Sequence, residues 1–198
     1  MTSSVSCEFS LTLRSAMGRE TFRIPAGVGF CNAVRRTLAS ELSMEAPCSV
    51  HFRTNSSPQT DEFVAHRLGL IPFRRVGNGD TMALRAKGPC IVTAGDLTGP
   101  AFDAVHPDIR VVVLAAQQEI DATITFDTQS AATHARYGPV AGLGMEVCAD
   151  GCSISFETID GRTCREALAS ALDRLDGRID RALHALAHQP AVAPRSMC

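Results

Sequence analysis

Asn32-Ala33-Val34-Arg35-Arg36-Thr37-Leu38 and, farther along, Asp61-Glu62-Phe63-Val64-Ala65-His66-Arg67-Leu68-Gly69-Leu70-Ile71-Pro72 are the two stretches on which the reading of this chain turns. Around the first, Phe30, Val34 and Leu38 recur at i, i+4 and i+8 with Ala33, Thr37 and Leu42 beside them, which predicts a helix over residues 28–42 with one apolar face. Asn32, Arg35, Arg36 and Glu41 fall on its other faces, and Pro25-Ala26-Gly27 separates it from the residues before it. The second stretch opens on polar residues, with Thr60 or Asp61 placed to cap a short helix over Phe63, Val64 and Leu68. Gly69 and then Ile71-Pro72 stop it.

Outward from these helices the period changes to two. Cys7, Phe9, Leu11 and Leu13 alternate with Ser6, Glu8, Ser10 and Thr12, so residues 6–14 read as a half-buried strand, and a turn at Met17-Gly18 leads to a second strand at 20–24. Residues 46–54 read as a strand closed by Asn55-Ser56-Ser57-Pro58. Short strands are expected between 74 and 99, separated by Gly-Asn-Gly and Lys-Gly-Pro. Residues 109–114 and 119–126 are expected to pair with each other about Ala116-Gln117-Gln118, and 142–147 with 153–159 about Ala149-Asp150-Gly151. The clearest periodicity comes last. Leu168, Leu172, Leu175, Ile179, Leu183 and Leu186 form a narrow apolar seam, with Arg165, Asp173, Arg174, Asp176, Arg178, Asp180 and Arg181 on the remaining faces. Such a helix packs along a sheet or a partner helix. A short disordered tail is expected after Pro190.

The 198 residues, 45% of them hydrophobic, suffice for one good core or two small ones. A net charge of −2 argues against binding nucleic acid by bulk electrostatics, which needs a clustered positive surface. Lys87 is the only lysine, and the arginines are scattered without forming a stripe. No apolar run approaches the roughly 20 residues that span a bilayer, and the first residues lack signal-peptide features. An intracellular protein without membrane contact is therefore expected. Of eight cysteines only Cys148 and Cys152 stand close, and no second pair accompanies them, so neither a zinc site nor any other metal or cofactor is expected. No nucleophile elbow, phosphate loop, His-Glu-x-x-His or dinucleotide fingerprint occurs. That disfavours a metal- or Cys/His-dependent enzyme, and the lack of interleaved aromatics disfavours a stand-alone nucleic-acid-binding module.

Together with His134-Ala135-Arg136-Tyr137-Gly138-Pro139-Val140-Ala141, which looks like a His-Ala-Lys-Trp-x-Pro stretch, the two opening segments resemble the alpha-like subunits of multisubunit RNA polymerases. That family comprises the third-largest subunit of the eukaryotic enzymes, its archaeal counterpart and, more distantly, bacterial alpha. The resemblance implies an α+β fold: a discontinuous dimerisation domain, an antiparallel sheet with two long helices, from residues 1–45 and 141–198, interrupted by an inserted β-rich domain at 46–140. It implies a non-catalytic assembly subunit that forms a heterodimer with a smaller alpha-like subunit, docks the second-largest, catalytic subunit and meets small accessory polymerase subunits, with no direct sequence-specific nucleic-acid contact.

The interface residues so implied are Phe30, Asn32, Val34, Arg35, Arg36 and Leu38 on the first helix; Glu62, His66 and Arg67 in the second stretch; His134, Arg136 and Tyr137 in the third; and Leu168, Leu172, Leu175, Ile179 and Leu183 on the last helix. Each has a plainer reading. The arginines can be solvated, Asn32 can bond backbone in its own patch, Glu62 and His66 can pair at i and i+4, Tyr137 can be buried, and the seam can be internal core. Many eukaryotic relatives carry a cysteine-rich zinc loop after the Ile-Pro stop, but residues 73–89 contain no cysteine, so zinc binding is not carried over. Brevity and the absence of that loop point to a reduced version from a large DNA virus or a divergent eukaryote, working in the nucleus, or in the cytoplasm or virion if viral.

Overall fold

A computed structural model describes residues 10–14 and 18–188. In chain order its elements are β1 (Ser10–Arg14), β2 (Glu20–Ile24), α1 (Val28–Ser40), β3 (Ser43–Asn55), α2 (Asp61–Gly69), β4 (Phe73–Arg75), β5 (Thr81–Lys87), β6 (Cys90–Thr93), β7 (Leu97–Thr98), β8 (Phe102–Ala104), β9 (Arg110–Leu114), β10 (Glu119–Ser130), β11 (Val140–Cys148), β12 (Gly151–Thr158) and α3 (Cys164–Ala187). Single 3-10 turns lie at Ala94–Asp96 and Ala135–Tyr137. The fold is α+β, with every strand pairing antiparallel.

Two cores organise it. The first lies between the sheet β1-β2-β12-β11 and the helices α1 and α3. Strand period two turns Cys152, Ile154 and Phe156 of β12 and Phe22 and Ile24 of β2 inward, and the Phe22 and Phe156 rings stack at 5.6 Å. Cys31, Val34 and Leu38 supply the α1 face. Thr163 and Glu166 start α3 with a reciprocal capping box, the Glu166 carboxylate accepting from Thr163 N at 2.7 Å. The helix then buries Cys164, Ala167, Leu168, Ala171 and Leu175.

The second core fills the space between the sheet β3-β10-β5-β7, the ribbons β4-β8 and β6-β9, and α2. Phe126 stacks on Phe102 at 3.9 Å and meets Phe73 edge-on at 5.0 Å, beneath Val64 and Leu68 of α2. A third, small cluster of Met44, Ala46 and Tyr137 sits at the ends of β3 and the 3-10 turn.

Several expectations need correction. β9 and β10 do not pair with each other: β10 is central, with β3 on one edge and β5 on the other, so no edge is left for β9, which pairs with β6 from Cys90↔Leu114. β3 begins at Ser43 rather than 46 because β10 runs on to Ser130 and supplies partners for Ser43, Met44 and Glu45. Helix α1 ends at Ser40, where Glu41 N closes onto Thr37 O, although Leu42 is still buried. The expected strand residues 6–9, Met17 of the first turn and the tail after Pro190 lie outside the described residues.

Candidate docking surfaces

The apolar seam of α3 divides at Leu175. Leu168 and Leu175 are buried in the chain's own core, whereas Ile179, Leu183 and Leu186 are 49%, 59% and 65% exposed. Phe30, 39% exposed at the start of α1, faces the same region. A groove of about 310 Å³ runs between Phe30 and the Leu172, Asp173, Leu175, Asp176 and Ile179 side of α3. Val34, Leu38 and Leu168 are internal, and Leu175, though buried, forms part of the groove floor. The division follows from which residues meet α1 and the sheet: the small Cys164, Ala167 and Ala171 set the packed face, and the large aliphatics beyond Leu175 have nothing to pack on. Two polar ties hold α3 in place, Arg178 to Glu41 and Arg174 Nη2 donating to Ser43 Oγ at 2.9 Å.

On α1, Arg35 donates from Nε and Nη2 to Asn32 Oδ1 at 3.1 and 2.8 Å. Asn32 thus bonds a side chain and not backbone. Arg36 is exposed, and its guanidinium has no partner among the described residues.

The second and third stretches of interest meet in space. Arg136 Nη1 donates to Pro47 O at 2.8 Å, and the guanidinium lies over Gly69, where a Cβ would stand 2.9 Å from Nη1. His134 caps the 3-10 turn, its Nδ1 accepting from Arg136 N at 3.1 Å. Arg67 donates to the carbonyl of Arg110 on β9 and lies 5.9 Å from the Phe63 ring centroid. Arg67 and Arg136 are therefore ties within the chain. Tyr137 is buried beside Met44 and Ala46, and that burial pushes its phenol above the ordinary range, so it is a core residue and not a surface anchor. Glu62 and His66 are exposed, and the i, i+4 pair expected of them is not made. They line a cleft of about 250 Å³ with Pro47, Cys48, Val50, Ala65 and Arg136. Phe63, read from the sequence together with Val64 and Leu68, is exposed because it is out of phase with those two buried residues, and Leu70, which sequence reasoning passed over, is exposed as well.

A larger cleft, about 530 Å³, lies between β3, β4 and the segment after β12. Four of its charged side chains are engaged, Arg75 on Glu45 at 2.6 Å and on Asp80 at 3.2 Å, and Arg162 on Asp160 at 2.5 Å and on Ser43 O at 3.1 Å, while Glu166 is held in the α3 cap. Among the described residues no three of His, Cys, Asp and Glu converge as metal ligands. Cys148 ends β11, while Cys152 points into the core, where it is a neighbour of the free Cys31 thiol. No described helix is long and apolar enough to cross a membrane.

The chain is 29% identical over 178 residues to a protein of Methanocaldococcus jannaschii named DNA-directed RNA polymerase subunit Rpo3, a match covering 87% of this chain and 93% of that protein. The Rpo3 subunit of Pyrococcus horikoshii is 34% identical over 126 residues, 57% of this chain and 49% of the relative. A protein of Arabidopsis thaliana named DNA-directed RNA polymerases II, IV and V subunit 3 is 41% identical over 69 residues, 35% of this chain and 21% of that protein. No protein-family model matches the chain.

Proposed function

We propose that this chain, which belongs to the alpha-like family of DNA-directed RNA polymerase subunits that includes Rpo3 and subunit 3, is a non-catalytic assembly subunit that pairs through its α1/α3 face with a smaller alpha-like subunit. The observation that carries this reading is the free end of α3, a row of large aliphatic side chains beside Phe30 with no covering element. Each is about half exposed, so covering it yields about 1 kcal/mol. A row of that kind is a docking face. The domain division, 1–45 with 141–198 and 46–140 between them, draws support from the two separate cores.

The second face, at α2 and β3, then serves the catalytic second-largest subunit and small accessory subunits, with Glu62 and His66 as its free polar groups. Arg36 extends this docking from α1. The relatives' names, DNA-directed RNA polymerase subunits, support a role in transcription.

Co-expression with the smaller alpha-like subunit of the same source tests the reading. Ile179→Asp with Leu183→Asp puts two charges on exposed positions, so the chain keeps its fold, while each charge, once buried by a partner, costs several kcal/mol. The heterodimer is expected to be lost in a pull-down. Wild-type yield of heterodimer from the double variant refutes the assignment.

A further inference from the structure

Asp173, Asp176 and Asp180 follow each other at i, i+3 and i+7 on α3, which places them in one row along the flank of the exposed seam. Asp173 and Asp176 line the groove beside Phe30 directly. All three are exposed, and none has a hydrogen bond or ion pair among the described residues. Two of the four arginines of the same helix stand differently. Arg174 and Arg178, at i and i+4 on the opposite flank, are engaged by Ser43 and Glu41 of this chain. Like charges at i, i+3 and i+4 weaken a helix, and among the described residues no cation is bonded to the aspartate row to offset that effect.

We infer that the aspartate row selects the occupant of the α3 seam: a helix of a different chain that brings an apolar stripe flanked by a row of Lys or Arg. The inference rests on the α1/α3 face being the heterodimer interface. Symmetry supplies the second half. In a two-fold pair of antiparallel α3 helices, seam against seam, each helix keeps its aspartates on the same side, so the two rows face each other and six carboxylates are brought together. A second copy in that arrangement is thereby rejected. In a parallel pair the flank brought against the row is Arg174 and Arg178, already engaged by Ser43 and Glu41. A helix with free basic residues on its flank is favoured by the same charges.

The test compares the wild-type chain with D173N/D176N/D180N, which leaves shape and the seam unchanged at exposed positions. Affinity for the co-purified smaller alpha-like subunit is measured at about 0.05 M and about 0.5 M NaCl, and self-association of each chain alone by sedimentation equilibrium. The wild type is expected to lose about tenfold in partner affinity at the higher salt; the variant is expected to start about tenfold weaker, to respond little to salt and to self-associate more strongly than wild type. Equal partner affinity and equal self-association of the two chains overturn the inference. If that equality accompanies loss of the heterodimer in I179D/L183D, the interface stands and the aspartate row has no selective role; if I179D/L183D still dimerises, the interface reading has failed and the row falls with it.

Discussion

Replacing Gly69 by Ala has a sign set by a residue far away in the sequence. Gly69 is the last residue of α2, and the space where its side chain would be holds the Arg136 guanidinium, with Nη1 at 2.9 Å, Cζ at 3.3 Å and Nη2 at 3.7 Å from a Cβ. Ala in a helix is favoured over Gly by about 0.5–1 kcal/mol. Against this, the methyl pushes the guanidinium off the Pro47 carbonyl, which it holds at 2.8 Å, and a hydrogen bond from a charged donor contributes about 1.5–3 kcal/mol. The loss wins by about 1 kcal/mol, equivalent to a fall of roughly 2–4 °C in melting temperature for a chain of this size. With Arg136→Ala already present, the bond is gone and the space is empty, so the same Gly69→Ala change stabilises by about 0.5–1 kcal/mol. A double-mutant cycle on thermal melts of the purified protein therefore reads a coupling of about 2 kcal/mol. Gly69→Ala raising stability equally in both backgrounds refutes the proposed contact.

Two further outcomes are expected. Thr37→Val raises the melting temperature, because Thr37 Oγ1 is the one buried side-chain polar atom without a partner among the described residues, and replacing it with an isosteric methyl removes an uncompensated desolvation of about 1 kcal/mol; a lower melting temperature would show that the hydroxyl is bonded. Burial pushes the Cys31 thiol up to about 11, helped by the neighbouring Cys152 thiol, so the folded chain holds this proton more tightly than the unfolded chain does; the associated stability, roughly 3 kcal/mol, is complete below about pH 9 and is lost as the pH rises through 11. Melting curves across that range should fall less steeply for Cys31→Ala than for wild type, and a thiol reagent at neutral pH should label exposed Cys48 while sparing Cys31.

Elements whose signal is local were readable from the chain alone. The spacing of Val34 and Leu38 announces both the helix and its buried face, although Phe30, read as part of that face, is exposed and Cys31 takes the buried place one residue on. Where the reading failed, the outcome was decided elsewhere in the chain. The run Arg110–Leu114 looks like the partner of Glu119–Ser130 because it is adjacent and β-branched, yet pairing goes to whichever edge is free, and both edges of β10 are taken by strands from earlier in the sequence. The seam of α3 misled for a different reason: leucine spacing marks the most hydrophobic line, while Ala167 and Ala171, which carry little weight in such a pattern, decide where the helix meets α1 and the sheet.

The stretches at 61–72 and 134–141 show how a functional signature and a structural one can be the same residues. Arg67 and Arg136 look like surface anchors in the sequence, but Arg67 is spent on the Arg110 carbonyl and Arg136 on the Pro47 carbonyl, with Gly69 kept small to admit it. The first bond fastens α2 to β9, and the second fastens the 3-10 turn to β3 with its guanidinium packed against the end of α2. Fastened in this way, α2 presents Glu62 and His66 on a surface that does not have to form when a partner arrives, which lowers the ordering cost of binding. Removing an anchor and removing a free group should therefore differ in kind: loss of Arg136 acts first on stability, and loss of Glu62 or His66 acts on docking alone.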